Sequence, residues 1–193
     1  FPGGTYIEFG GTAAAQAKSR RELLVYSVIA GVGIILLLFI ALKNLRNLFL
    51  VLSNLPFAFV GGMIAILLTG GQMSLGSMVG FITLFGITMR NSLMLISHYE
   101  HLVTVEGKEW NLETAILGAS ERLVPILMTA LVTGLGLLPL AIGSGSAGKE
   151  IEGPLAIVIL GGLATSTLLN LLVLPALSLR FGSFQKGNFN EEM

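Results

Sequence analysis

Cysteine and aspartate are both missing from this chain of 193 residues. Without cysteine there are no disulfides, no thiolate metal sites and no thiol nucleophile, and the redox compartment stays open. Without aspartate an intramembrane aspartyl protease is excluded. The eleven acidic side chains are therefore all Glu. Charge of either sign is scarce, at 11% of residues, where a soluble domain carries about 25%. Eleven basic residues balance the acids to a net charge of zero, so no basic field points to nucleic acid. There is no G-x-x-x-x-G-K-[ST], no H-E-x-x-H and no G-x-S-x-G, which excludes P-loop ATP hydrolysis, zincin chemistry and the hydrolase elbow. Energy for any work must come from an ion gradient or from elsewhere, and no cofactor is expected.

Apolar length is what the chain has in quantity. Apolar residues make up 53% and the mean hydropathy is +0.85. A membrane span needs about 20 mainly apolar residues. Segments 23–42, 48–68, 75–96, 123–142 and 154–179 meet that length. Several carry Gly or Pro, which membrane helices tolerate because neighbours re-satisfy freed backbone groups. The expected fold is an all-α membrane protein, a bundle of five transmembrane helices within 23–180. A short cytoplasmic helix is expected in loop 97–121, with Asn111 as N-cap, Glu113 in its first turn and an apolar face of Leu112, Ile116 and Leu117.

Lys and Arg favour the cytoplasmic side. Lys43, Arg46, Lys108, Arg122, Arg180 and Lys186 fall on one side, and the two opposite loops hold only Lys149. This places the first loop, loop 97–121 and the tail 181–193 inside. Lys18, Arg20 and Arg21 disagree with that count. The disagreement fits residues 1–22 being the end of a large translocated periplasmic domain, where the rule weakens. Thr5 to Phe9 can form its last strand, between Pro2-Gly-Gly and Gly10-Gly11. The chain opens on Phe1 without a positive n-region and reads as a piece of a longer polypeptide.

Arg90 stands out in the third segment. A permanent cation at mid-helix costs about 2.5–3.5 kcal/mol on insertion scales, so such residues face a bundle interior or a water path and by default mark function. Thr83, Gly86, Arg90 and Ser97 share a helix side, and Asn91 adds a second polar group. The competing reading is a structural Arg locking two helices by an ion pair. No predicted span has a carboxylate at its middle; Glu22, Glu100, Glu121, Glu150 and Glu152 lie at ends or in loops. The counter-charge must come from another chain, from further sequence or from a bound anion. Arg does not release its proton at physiological pH, so a carboxylate would carry any coupled proton, with Arg90 tuning it.

Thr129 and Thr133 stand one turn apart on the fourth segment and suit either a water wire or glue between helices. Thr165, Ser166, Thr167 and Asn170 in the fifth, below Gly161-Gly162, favour close packing. Gly76 and Gly80 form a small-xxx-small pair. His98-Tyr-Glu-His101 invites a metal reading, but two His without further ligands and a second shell fall short of a site. Tyr99 is expected there as an interface anchor.

The run Gly86-Ile-Thr-Met-Arg90-Asn91-Ser-Leu-Met-Leu-Ile-Ser-His98-Tyr99-Glu-His101 resembles the tenth membrane helix of resistance-nodulation-division (RND) efflux pumps. Its Arg-Asn pair and following Ser-His-Tyr are most similar to the heavy-metal branch, of the cobalt-zinc-cadmium resistance type. Arg122-Leu-Val-Pro125-Ile-Leu-Met-Thr129 and Leu137-Leu-Pro139 resemble the eleventh helix. Glu150-Ile-Glu-Gly-Pro154 through Gly162 resembles the start of the twelfth, and residues 1–11 the end of the second periplasmic domain. Two positions depart from the pattern: Ser92 stands where Gly is usual, and Gly153 where a basic residue is common.

The resemblance implies half of an RND-type transmembrane domain within a trimeric inner-membrane proton antiporter. It implies a periplasmic adaptor, an outer-membrane channel, and a divalent or monovalent metal cation as cargo. It puts Arg90, Asn91, Thr129 and Thr133 in a proton relay opposite carboxylates of another helix; Gly76, Gly80, Gly86, Gly161 and Gly162 are read from their spacing as serving helix packing. Alternatives are a multidrug or other RND exporter with the same relay, and a non-transporting membrane scaffold.

Overall fold

The computed structural model describes residues 11–42, 44–70 and 73–184. The strand expected at Thr5 to Phe9, and Lys43 and Lys186 of the charge count, lie outside them. Among the described residues the chain forms α1 (Gly11–Leu42), α2 (Leu45–Ser53), α3 (Leu55–Leu68), α4 (Leu75–Thr104), α5 (Leu112–Ile142) and α6 (Glu152–Phe181). Five spans are long and apolar enough to cross a membrane, with α2 and α3 together making one of them. The chain is a multi-pass membrane protein.

The helix ends follow from local chemistry. The Asn44 side chain accepts from the Arg46 N–H at the start of α2. Ser74 and Ser77 form a reciprocal capping box on α4. The Asn111 side chain accepts from the Thr114 N–H at 2.9 Å. The break between α2 and α3 falls at Asn54, two residues before Pro56. Proline lacks an N–H and its ring crowds the carbonyl one turn back, so it starts a helix more readily than it continues one.

Two expectations are corrected. α4 runs past residue 96 to Thr104, because no Gly or Pro interrupts it before Gly107, which has φ +69°. The helix starting after Asn111 is not a separate short element. It continues without a break through Pro125 and Pro139 to Ile142. The polar connection therefore shrinks to residues 105–111, and the short cytoplasmic helix is the first turns of α5.

The chain divides into two compact units, residues 1–37 and 38–193. The described part of the first is the body of α1, with Leu24, Val28 and Leu36 exposed. In the second unit α6 is the hub, packing on α2, α3, α4 and α5. Ala58, Ile66, Phe81, Leu84 and Val158 form an apolar cluster where α3, α4 and α6 meet.

Small residues let these backbones approach. A Cβ added to Gly76 would collide with the Ile151 carbonyl oxygen, and one on Gly80 would meet the Leu155 carbonyl oxygen at 3.0 Å. On α6, a Cβ at Gly161 would meet the Gly61 oxygen at 2.7 Å, and one at Gly162 the Ala58 oxygen at 2.8 Å. Helix association in a membrane gains from such contact, since lipid supplies no hydrophobic drive between helices. Gly86 differs: nothing lies within 4 Å of a Cβ built there. It sits on the exposed face of α4, with no neighbour there among the described residues.

Candidate functional site

α4 has two unlike sides at the level of Arg90. Thr83, Gly86, Arg90 and Ser97 are all exposed, as residues sharing one helix face should be. Among the described residues Arg90 has neither an ion pair nor a hydrogen-bond partner. Asn91 follows about 100° further round the helix and is buried, at 2% exposure. It does not share the face of Arg90. The two adjacent polar residues serve opposite surfaces.

The buried side holds a polar layer that the one-dimensional pattern does not reveal. Ser92 is fully enclosed; it accepts a hydrogen bond from Asn54 Nδ2 at 2.8 Å and donates one to Asn170 Oδ1 at 3.0 Å. The break between α2 and α3, the middle of α4 and the middle of α6 are thereby tied together. Thr88 and Asn91 on α4, with Ser166, Thr167 and Asn170 on α6, complete the layer. Thr88 Oγ1, Asn91 Nδ2, Thr167 Oγ1 and Asn170 Nδ2 have no hydrogen-bond partner among the described residues. Buried polar groups are normally paired, which sets these four apart within the layer. Asn170 is legible in the sequence as a mid-helix polar group. Asn54 is not, because it looks like a helix-end residue.

Thr129 and Thr133 are half-buried on α5. Thr129 Oγ1 donates to the Pro125 carbonyl at 3.0 Å, the back-bonding common for Thr within helices. Neither threonine is hydrogen-bonded to Arg90 among the described residues.

Where α4 and α5 meet near the 105–111 connection, charges cluster. Arg122 Nη2 lies 3.2 Å from His98 Nδ1, and His98 Nε2 lies 2.5 Å from Glu121 Oε2. The His98 ring thus bridges Arg122 and Glu121, both in the first half of α5. Glu106 is 2.9 Å from Lys108 and 3.6 Å from His101. The Lys108 hydrogen bond, helped by the charges of Lys108, His101 and His98, holds the Glu106 carboxyl below its usual range. Among the described residues no three His, Cys, Asp or Glu side chains are grouped to hold a metal ion.

Tyr99 is not an interface anchor. It is completely buried, with its ring 5.0 Å from Trp110 and 5.9 Å from Phe184. Gly118 leaves the room: a Cβ there would meet the Tyr99 ring at 2.7 Å. Beside it, Asn47 Nδ2 donates to the Ser183 carbonyl at 3.3 Å and the Ser183 N–H donates to Asn47 Oδ1 at 3.2 Å. Asn44 Nδ2 adds a bond to the same carbonyl at 3.1 Å. The segment after α6 is thus strapped to the start of α2.

A family model for the AcrB/AcrD/AcrF family matches residues 1–181. The chain belongs to that family. Over 177 residues it is 40% identical to the cobalt-zinc-cadmium resistance protein CzcA of Cupriavidus metallidurans, covering 91% of this chain and 16% of that protein. It is 39% identical over 176 residues to the nickel and cobalt resistance protein CnrA of the same organism, again 91% and 16%. The crystal structure of a heavy metal efflux pump (crystal form I) superposes with a TM-score of 0.75 at 35% identity, over 90% of this chain and 17% of that one. The chain therefore spans about one-sixth of the length of these AcrB/AcrD/AcrF relatives, and they lie in the heavy-metal branch that the α4 motif resembles.

Proposed function

We propose that this chain is the C-terminal membrane part of a proton-driven exporter of heavy-metal cations in the bacterial inner membrane. The observation that carries the reading is Arg90. It is a permanent cation midway along a spanning helix, on a face this chain leaves open, with no counter-charge among the described residues. Such a cation is costly in a bilayer unless a partner neutralises it. A carboxylate from another part of the pump meets that need.

An ionised carboxylate opposite Arg90 would pair with it. The nearby cation favours ionisation, while desolvation opposes it. When the carboxylate takes a proton from the periplasmic side the pair loses its attraction, and the helices settle into a second arrangement. Proton release towards the cytoplasm restores the pair. The proton gradient thereby biases a two-state bundle, and no cofactor is required. Thr129 and Thr133 extend the relay from α5, and Asn91 supports Arg90 from the inner face of α4. This is secondary transport rather than enzymatic catalysis. The functional unit is a homotrimer that joins a periplasmic adaptor and an outer-membrane channel, with the metal cation as cargo.

The test is Arg90→Ala in the full-length pump, with expression and trimer content checked. Metal resistance in cells and proton-driven metal uptake by inverted vesicles should both be lost. Normal resistance at normal expression would sink the reading and leave Arg90 a structural residue.

A further inference from the structure

A groove between α2 and α6 lies apart from the α4 face. Its volume is about 600 Å³. Arg46 and Arg180 line it, with Phe49, Leu50, Leu177 and Phe181 as apolar walls and, among the described residues, no carboxylate. Arg46 is in the first turn of α2 and Arg180 in the last turn of α6, the helix ends that the basic-residue count assigns to the cytoplasmic side. Among the described residues neither guanidinium has an ion pair; that of Arg180 lies 5.7 Å from the Phe181 ring centre. Two like charges facing one groove repel each other, and an anion between them removes that cost.

The groove continues away from the charges. Ser53 and Leu177 also line a shallow crevice of about 10 Å³ with Asn54, Phe57, Leu169, Val173 and Leu174. Leu169 precedes Arg180 by about three turns of α6, about 16 Å along the axis, which is roughly half of a 30 Å hydrocarbon core. Paired cations at the surface and a shallow, mainly apolar furrow below them match an amphiphile whose chain lies along the helix surfaces. A free inorganic anion would use the first and leave the second without a purpose.

We propose that this groove binds an anionic phospholipid, with its phosphate between Arg46 and Arg180 and one acyl chain along Ser53, Phe57 and Val173. Basic pockets between membrane helices on the cytoplasmic side suit such headgroups, and each cation strengthens the attraction. The site is independent of the Arg90 relay, so either reading can fail alone.

The experiment is native mass spectrometry of the full-length pump in detergent, titrated with phosphatidylglycerol or phosphatidylcholine. The wild type should bind phosphatidylglycerol in preference. Arg46→Gln with Arg180→Gln should weaken that binding about thirtyfold and leave phosphatidylcholine unchanged. Arg46→Lys with Arg180→Lys should keep most of the preference, separating charge from folding damage. Val173→Trp, which fills the crevice, should weaken phosphatidylglycerol with both arginines in place. Unchanged phosphatidylglycerol binding in the Gln pair, or equal binding of the two lipids by the wild type, would overturn the proposal. Displacement by millimolar inorganic phosphate, or full binding in Val173→Trp, would also overturn it by reducing the site to one for a simple anion.

Discussion

Ser92 donates a hydrogen bond to Asn170 across 3.0 Å, between two helices and with both side chains fully enclosed. Ser92→Ala would leave Asn170 Oδ1 and Asn54 Nδ2 unpaired. An unsatisfied buried group costs about 1–3 kcal/mol, and hydrogen bonds between membrane helices average nearer 0.6 kcal/mol. The expected loss is about 1–2 kcal/mol, read as a lower melting temperature of the solubilised pump. Adding Asn170→Leu should recover part of it, because the stranded acceptor is then gone. Equal losses in the single and double variants would rule out the bond as the cause.

Gly76 and Gly86 should respond differently to alanine. At Gly76 the new Cβ meets the backbone of Ile151, so α4 or the residues before α6 must shift. Overpacking of this kind costs about 1–3 kcal/mol. At Gly86 the Cβ meets no neighbour among the described residues, and helix propensity alone favours alanine by about 1 kcal/mol. Thermal melting of both variants checks this. A Gly86→Ala pump that melts normally but transports poorly would place another part of the pump against that face.

Asn47→Ala removes both bonds to the backbone of Ser183. The lost pairing is worth about 1–2 kcal/mol and should loosen the segment after α6. Chymotrypsin applied to inverted membrane vesicles should then cut after Phe181 or Phe184 faster than in the wild type. An unchanged cutting rate would mean that the aromatic contacts of Phe184 hold the strap without Asn47.

Acidity should act at the 105–111 connection through Glu106. Its folded value lies below the ordinary 4.5, so its favourable contribution is present above that value. It is lost as the pH falls through the lower, folded value. Lys108→Ala removes the largest cause and should move the titration back up towards 4.5, visible by carbon-13 NMR of the carboxyl group. Glu106 is exposed, so the effect on global stability should be small.

Much of the architecture is legible along the chain, because apolar length is a local property. Segments 23–42, 75–96 and 154–179 fall within α1, α4 and α6. The face of Thr83, Gly86 and Arg90 follows from helical periodicity in the same way. What escaped depends on partners distant in sequence. Asn54 becomes a core residue because α3 turns it towards Ser92, and Tyr99 is buried because Gly118 and Trp110 come from beyond the connection. The continuity of α5 was hidden by the charged residues Glu121 and Arg122, which look like the end of a loop. His98 and Glu121 use these positions to join α4 to α5.

The opposed placement of Arg90 and Asn91 limits how α4 can move. Turning the helix about its axis by the roughly 100° between them, in the sense that brings Asn91 to the surface, would put the guanidinium where Met89 is buried. The same turn would break both bonds of Ser92 and drive Gly76 and Gly80 off the backbone they touch. Axial rotation is therefore the expensive degree of freedom. Sliding or tilting that carries α6 along keeps Ser92, Asn170 and the glycine contacts intact, so α4 and α6 are built to travel as one piston rather than to turn as separate screws.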